Sequence, residues 1–564
     1  MTGSKRVRRF TPARRRTGSV ACALAVAGTL LAAAPSLAQS PYPLTPGSAG
    51  SRSAGAPPLA GPFGAARPGR QGIVMQDLAA PSADGLGLLA PAEGGLGPAL
   101  WQGLSLQGAL ALLDGLPPAL ASRAMADLTR RLLLSSANPP AAGGAAPADS
   151  LLLRRVDLLG RYGFPAEVVA LVEAVPAQSL TPALARRRAE ALLIQSHPEQ
   201  ACQPTANPPP TATPLTVEDD VFWHKLQIFC QLQAGKPDQA ALGMAILREQ
   251  GIKDEGFFIL AERMGKLAKG KPRKPTAFDA LTIALYRGAD QPIPAEAASP
   301  PTPWLDRAIA LSAPTPPARR LASAERAEAG GALPADALAY LYGDTPIRAA
   351  DRTKILSTLL AEGTPMARAQ AFQAVRALRD PVAKANAAAE LLRGLRQRDG
   401  GLYLSMVRAL LPSLREMLVL DGALAAAPEI ARAFYGVGDI RAAGPWVRLL
   451  QANSRDLFRG QGGLASLVTM DRLANQGDID GAFPANPAAI LMNPAVSLDR
   501  LGAAAARRAT GETVLLALST LAGVGGPTKA PPGVLRQVLL ALQGVGLNDA
   551  ATAIGLEALA VQAP

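Results

Sequence analysis

Apolar residues recur with a helical period along most of this chain, and no run alternates convincingly between apolar and polar residues. The stretch 218–251 is typical: Phe222, Leu226 and Phe229 lie on one side of a predicted helix, and Trp223 lies on the neighbouring side. An apolar surface this wide has to pack against neighbours on both flanks. The pattern therefore predicts an all-α protein built from packed helical pairs.

A short turn recurs between the predicted helices. It begins with Gly or Ser, closes five residues later on a small or apolar residue, and leads into the next helix. Successive copies end 33 and 39 residues apart in the first half of the chain, and 39 and 69 residues apart in the second half, where a weaker copy at 511–516 divides the longer interval. The six clear copies are 163–168, 196–201, 235–240, 438–443, 477–482 and 546–551.

These turns and their spacing resemble the tetratricopeptide repeat, a helix-turn-helix unit of about 34 residues that stacks into a curved α-solenoid. The resemblance covers 150–251 and 428–556, and its units are degenerate, since Ile228 stands where that family has a small residue. It implies stacked helical hairpins in two halves, with an extended groove for a partner. The alternative is an ordinary α-helical bundle in a chain rich in Gly and Ala.

Composition divides the chain into segments. The Pro-rich stretch between the two helical halves has several helix breaks, which leave few contacts across it. The predicted organisation is a signal peptide at 1–38, a disordered, low-complexity Pro/Gly/Ala lead at 39–95, a helical repeat domain at 96–290, a Pro-rich connector at 291–317 and a second helical repeat domain at 318–564.

The first 38 residues have the features of a secretory signal. Seven Lys or Arg and no acid precede an apolar run at 20–34, and the segment closes on Ser36, Leu37 and Ala38. The apolar run is too short and too rich in Ala to favour a membrane span. We therefore expect export to a periplasm-like compartment, cleavage after Ala38, and no transmembrane span in the mature chain.

Charge and aromatic content argue against a nucleic-acid partner. The whole chain has a formal charge of +13, but the predicted signal carries +7 of it, which leaves +6 on 39–564. This excess is mild for so long a chain, and aromatic residues make up 4% of the sequence. Few side chains are thus available to neutralise phosphates or stack on bases.

Two cysteines, Cys202 and Cys230, remain after the predicted cleavage. An even pair in an exported chain predicts a disulfide, here across a loop of about 28 residues. The alternative is a Cys2His2 zinc site that adds His197 and His224, the only histidines in the chain. His224 and Cys230 are six residues apart on a predicted helix and do not share a face, so we expect the disulfide and no metal.

No residue pattern is typical of catalysis or cofactor binding. Neither histidine has a nucleophile or an aspartate at a telling spacing. The glycine-containing stretch 265–271 copies the frame of a phosphate-binding loop, but Pro272 stands where that loop needs a hydroxyl. We expect no catalytic residue and no cofactor.

Basic residues gather at the end of the first half. Within twelve residues they form a candidate patch for an anionic partner, and the alternative is a solvated surface. On a nearby unit, Arg186 has Glu190 one helical turn away as a predicted ion-pair partner. The residues of the candidate patch are Arg263, Lys266, Lys269, Lys271, Arg273 and Lys274.

Together these features predict an exported, non-catalytic helical-repeat scaffold that binds a protein or an anionic cell-envelope component. The alternative is a cell-wall-active hydrolase whose helical repeats frame a catalytic site. Both functions are expectations drawn from the predicted fold.

Overall fold

A computed structural model describes most of the chain after residue 82. The predicted signal peptide and most of the low-complexity lead lie outside the described residues. The described ranges are 83–141, 150–206, 216–267, 278–298, 300–348, 354–453, 463–484 and 498–562.

The described residues form an all-α protein, as predicted. They contain 25 α-helices and no β-strand. Their β-type pairings are limited to two isolated bridges, Leu89 with Ser135 and Ser105 with Ala141.

The helices follow one another along the chain, and 2 to 16 residues separate consecutive described α-helices in sequence. In the first part of the chain they are α1 Leu106–Asp114, α2 Arg123–Leu134, α3 Leu151–Arg161, α4 Pro165–Glu173, α5 Pro182–Ile194, α6 Pro198–Ala206, α7 Val217–Gln233, α8 Pro237–Glu249, α9 Glu255–Met264, α10 Ala280–Gly288, α11 Pro303–Ala310, α12 Pro317–Ala329 and α13 Ala335–Asp344. In the remainder they are α14 Leu356–Glu362, α15 Pro365–Ala377, α16 Pro381–Arg396, α17 Gly400–Arg415, α18 Ala427–Gly436, α19 Ile440–Ala452, α20 Gly463–Gln476, α21 Ile479–Ala482, α22 Leu498–Ala506, α23 Thr510–Gly523, α24 Pro532–Gly544 and α25 Asn548–Val561.

The six predicted turns share one backbone conformation. The first residue of each is left-handed, with φ between 65° and 83°. Five of these residues are Gly, which adopts this conformation without a clash from Cβ, and the sixth is Ser196. The closing residue is buried in five of the turns, at Val168, Ala201, Ala240, Ala443 and Ala551. The turns thus confirm the predicted helix–turn–helix pairs.

The weaker copy predicted at 511–516 is wrong in register. The left-handed residue of that turn is Arg508, with φ 56°, and the buried closing residue is Thr513. Gly511 lies in the first turn of α23, where its N–H donates to the Leu100 carbonyl at 3.0 Å. A Cβ at Gly511 would stand 2.4 Å from that oxygen, so close backbone approach explains the glycine.

Buried apolar side chains form two clusters. One cluster combines residues from 100–191 with residues from 310–560, and the other lies within 189–309. The described residues from both predicted halves therefore share the first cluster. The division into helical repeat domains at 96–290 and 318–564 stays a prediction.

The last described helices pack against the first ones. Helix α25 contacts α2, α17 and α18, and α23 contacts α1 and α2. More than 400 residues separate α2 from α25 along the chain. Their contact therefore joins parts of the first core cluster that are far apart in sequence.

A buried ionic network lies where α25 packs against α2. A carboxylate oxygen of Glu557 in α25 accepts from the Ala124 backbone N–H at 3.1 Å, at the start of α2. Arg408 in α17 lies 3.6 Å from Glu557 and 2.6 Å from Glu328 in α12. Since a buried charge is costly without a partner, this network favours one arrangement of four helices.

A second buried charge holds residues 83–86 against the body. Arg155 in α3 donates to the backbone carbonyls of Leu86 at 2.6 Å, Leu133 at 2.8 Å and Ser135 at 3.0 Å. Burial lowers the pKa of Arg155 to about 10, which still leaves the guanidinium charged at neutral pH. The described end of the predicted low-complexity lead is therefore packed on the helical core.

The predicted disulfide is present. Cys202 in α6 and Cys230 in α7 are bonded, with their Cα atoms 5.7 Å apart and a sequence separation of 28. The bond joins two helices that also contact each other. It takes both thiols that the alternative zinc site required.

The buried carboxyl of Glu557 predicts a pH-dependent stability. Burial raises the pKa of Glu557 above its ordinary value, and Arg408 opposes this only in part. The folded chain thus binds this proton more tightly than the unfolded chain. The stabilisation that results is fully present below the ordinary pKa of a glutamate and is lost as pH rises through the pKa of the folded state. Glu557→Gln cannot ionise but still accepts from Ala124. We expect its stability relative to wild type to increase as pH rises above about 4, the ordinary value for a glutamate.

Urea unfolding at a series of pH values measures this effect. The matched control is Glu249→Gln on α8, an exposed position. Superimposable pH profiles for wild type and Glu557→Gln would contradict the prediction.

The disulfide predicts a defined loss of stability. In the chain-entropy model, closing a loop of 28 residues is worth about 3 to 3.5 kcal/mol, so Cys202→Ser/Cys230→Ser should unfold at lower urea by that free energy. A reductant should destabilise wild type to the same level and leave the double variant unchanged. Thiol titration of the unfolded, unreduced protein should find neither cysteine free; a reactive thiol at either one speaks against the bond.

Candidate functional site

The histidines lie apart from any reactive cluster in the described residues. His224 is on α7, its Nδ1 atom is 2.9 Å from the Asp220 carbonyl, and its side chain is 42% exposed. His197 is in the turn before α6. No group of three or more His, Cys, Asp or Glu in the described part of the chain could hold a metal ion.

The candidate basic patch is only partly described. Arg263 lies near the end of α9, and Lys266 follows it in a left-handed conformation with φ 57°. The other four members, Lys269, Lys271, Arg273 and Lys274, lie outside the described residues. The patch therefore stays a prediction.

A cavity of about 500 Å³ lies between α3, α5, α10 and α11. These helices contact one another pairwise: α3 with α5, α5 with α10, and α11 with α3. The buried part of the lining is apolar, and the charged and aromatic residues are half-buried or exposed. The buried lining residues are Val156, Leu158, Pro165, Val168, Ala191, Ile194 and Ala280.

Helix α3 contributes a row of charged residues. Arg154, Asp157 and Arg161 are spaced i, i+3 and i+7, which places them on one face of the helix. Arg154 forms an ion pair with Asp114. Asp157 accepts from Arg187 Nε at 2.5 Å, which joins α3 to α5 across the cavity wall.

Helix α5 contributes a second charged row. The predicted pair is confirmed, with Arg186 Nε donating to Glu190 at 3.0 Å, and Arg186 also contacts Asp219 at 3.2 Å. Arg187 donates to Glu190 at 2.9 Å as well as to Asp157. Although burial alone lowers it, the pKa of Arg187 is raised overall by Glu190 and Asp157. These bonds hold both arginines in fixed positions.

Within the described residues, Arg161 differs from the other arginines of the cavity because its contacts are all uncharged. Its Nη2 atom lies 3.3 Å from the Tyr162 hydroxyl and 3.5 Å from the Leu116 carbonyl. Its Nε is buried without an acceptor. No carboxylate in the described residues lies within ion-pair distance of it. Burial raises the pKa of Tyr162, although the nearby Arg161 and Arg154 favour the phenolate.

Two aromatic residues complete the lining. Phe278 and Asp279 precede α10, where the Asp279 carboxylate accepts from the Thr282 backbone N–H at 2.7 Å and caps the helix. Trp304 lies in the first turn of α11. More than 80 residues separate these aromatics from α3 and α5 along the chain. The sequence did not predict that these aromatics line the same cavity as α3 and α5, because local patterns do not relate positions so far apart.

Apolar walls with a few fixed charged groups are typical of a site that binds a ligand by shape and charge. The carboxylates lining this cavity are already bonded: Asp157 to Arg187, Glu190 to both Arg186 and Arg187, and Asp279 to its own helix. Among the described lining residues, Arg154 and Arg161 each bury an Nε without an acceptor, and of these two Arg161 is the one without an ion pair.

Other surface features lack this combination. Tyr340 on α13 is 67% exposed and lies between two cavities of about 510 and 470 Å³. Asp336 also lines both cavities. Nearby, Arg376 stacks on Phe372 and Arg320 donates to the Ala310 carbonyl, so both basic groups are already engaged.

Comparisons with known proteins do not assign this chain to a group: no family model, no curated protein and no solved structure matches it. Within the described residues, no helix is both long enough and apolar enough to cross a membrane. The repeat family predicted from the turns stays a prediction.

The contrast between Arg161 and Arg187 predicts opposite effects on stability. Arg187→Gln breaks the bond to Asp157, which joins α5 to α3, and the bond to Glu190 within α5. It should cost about 1 kcal/mol of unfolding free energy, since the pairs are partly exposed. Arg161→Gln breaks no ion pair within the described residues and should change the free energy of unfolding by less than about 0.5 kcal/mol. Urea unfolding of both variants tests this. An equal or larger loss for Arg161→Gln would show that Arg161 has a structural role.

Proposed function

We propose that this protein is an exported, periplasmic helical scaffold without catalytic activity, which binds a protein or another cell-envelope component in the cavity between α3, α5, α10 and α11. The single observation that carries the proposal is the lining of that cavity, where apolar walls, two aromatic side chains and fixed arginines meet.

The size and chemistry of the cavity support binding. Its volume of about 500 Å³ falls within the range of about 300 to 1,000 Å³ usual for ligand sites in proteins. The ion pairs of Arg186 and Arg187 hold the rim in place before a ligand arrives, so binding orders few side chains and loses little entropy. The neighbouring helical pairs extend the surface available to a partner larger than the cavity.

The Cys202–Cys230 disulfide supports the exported location. Disulfides persist in oxidising compartments and are rare where thiols are kept reduced. The basic and apolar run of residues 1–38 independently favours export.

Site-specific photocrosslinking in the cell-envelope fraction tests the proposed function. The full chain carries benzoylphenylalanine in place of Phe278, which lines the cavity, or in place of Tyr340, which does not. We expect a crosslinked partner from position 278 that is absent from position 340. Trp304→Ala in the same chain should weaken this adduct by removing a cavity wall, whereas Arg188→Gln, on α5 but outside the cavity, should not.

Identical adducts from positions 278 and 340, or none from either, would contradict a partner site in this cavity. Release of fragments from purified cell wall by the protein would instead favour the hydrolase.

A further inference from the structure

We infer that the group recognised in this cavity is a carboxylate next to an apolar side chain, presented by a short segment of the partner protein. This inference rests on the proposed function and specifies its ligand.

The charge at Arg161 carries the first step. The three other arginines that line the cavity each pair with a carboxylate: Arg154 with Asp114, Arg186 with Glu190 and Arg187 with Asp157. Arg161 has no such partner within the described residues, and its nearest acceptors are a hydroxyl and a carbonyl. A bound anion at Arg161 would form a charge-assisted hydrogen bond without breaking an existing ion pair.

The number of spare charges selects the type of anion. Among the described residues of the lining, one guanidinium lacks a counter-charge, and fixed acids such as Asp157 and Glu190 stand nearby. A singly charged carboxylate matches this arrangement. A phosphate, with nearly two negative charges, would face the same acids with only one compensating group.

The apolar walls define the neighbour of that carboxylate. Arg161 lines the same cavity as buried Val168, Ala191 and Ile194, and as half-buried Phe278 and Trp304. An aliphatic or aromatic side chain placed there would leave water and pack against aromatic faces. The carboxylate and the apolar side chain therefore have to be close together in the ligand.

Two sources can present this chemistry. One is a chain end, whose terminal carboxylate follows an apolar last residue. The other is an internal Asp or Glu beside an apolar residue. Three peptides distinguish them: N-acetyl-Ala-Ala-Phe with a free carboxylate, the same peptide amidated, and amidated N-acetyl-Ala-Asp-Phe.

Isothermal titration calorimetry of the full protein with these peptides tests the inference. At least one of the two charged peptides should bind roughly tenfold to a hundredfold more tightly than the uncharged amide. Raising the salt concentration should reduce that preference. Preference for the free chain end or for the internal Asp identifies the source.

Two variants connect the binding to the cavity. Arg161→Gln should abolish the preference for a charged peptide, and Trp304→Ala should weaken charged and uncharged peptides alike. Arg188→Gln is the matched control, because Arg188 lies beside Arg186 and Arg187 on α5 but pairs outside the cavity with Glu173 at 2.6 Å. Unchanged urea midpoints would show that Arg161→Gln is folded.

Equal affinity for charged and amidated peptides, no binding of any peptide, or a charge preference that survives Arg161→Gln would each overturn the inference. Its failure is distinguishable from failure of the proposed function. If a partner crosslinks at position 278 but the peptides show no carboxylate preference, the proposed scaffold function stands and the inferred carboxylate ligand is rejected.

Discussion

The cost of burying charge is the constraint on which this helical body depends. Glu557 lies at the centre of the best example, since it meets Arg408 and the start of α2 inside the core. Apolar Ala- and Leu-rich helices can pack in several registers, whereas a buried carboxylate requires its partners at one position. The contact between α2 and α25 is therefore specified by a few polar atoms as well as by apolar area.

The same constraint organises the cavity. Arg186 and Arg187 are held by carboxylates from α3, α5 and α7, so the rim is set by the packing of the helices. Arg161 stands among these pairs and has only uncharged contacts in the part of the chain that the structure describes. Among the described arginines that line the cavity it is the one without an ion pair, so it is best placed to meet a charge from outside the chain.

The sequence was most informative where the determinants are local. Helical periodicity predicted the all-α fold, left-handed Gly residues marked the turns, and the even pair of cysteines after the predicted signal peptide predicted the disulfide. The buried ionic network could not be predicted from the sequence, because Glu557 in an Ala-rich helix looks like a solvent-exposed acid. Trp304 was equally hidden, since its place beside α3 depends on how a Pro-rich stretch folds back over more than 100 residues.

Hydrogen exchange in native conditions tests the central claim most directly, that α25 is an integral part of the core through its contact with α2. The opening free energies of amides in Arg123–Leu134 and Asn548–Val561 are measured at increasing denaturant. Equal values that merge with global unfolding are the predicted result. Fast exchange throughout α25, while α2 stays protected, would mean that the last helix opens by itself and that the buried ionic network does not unite them.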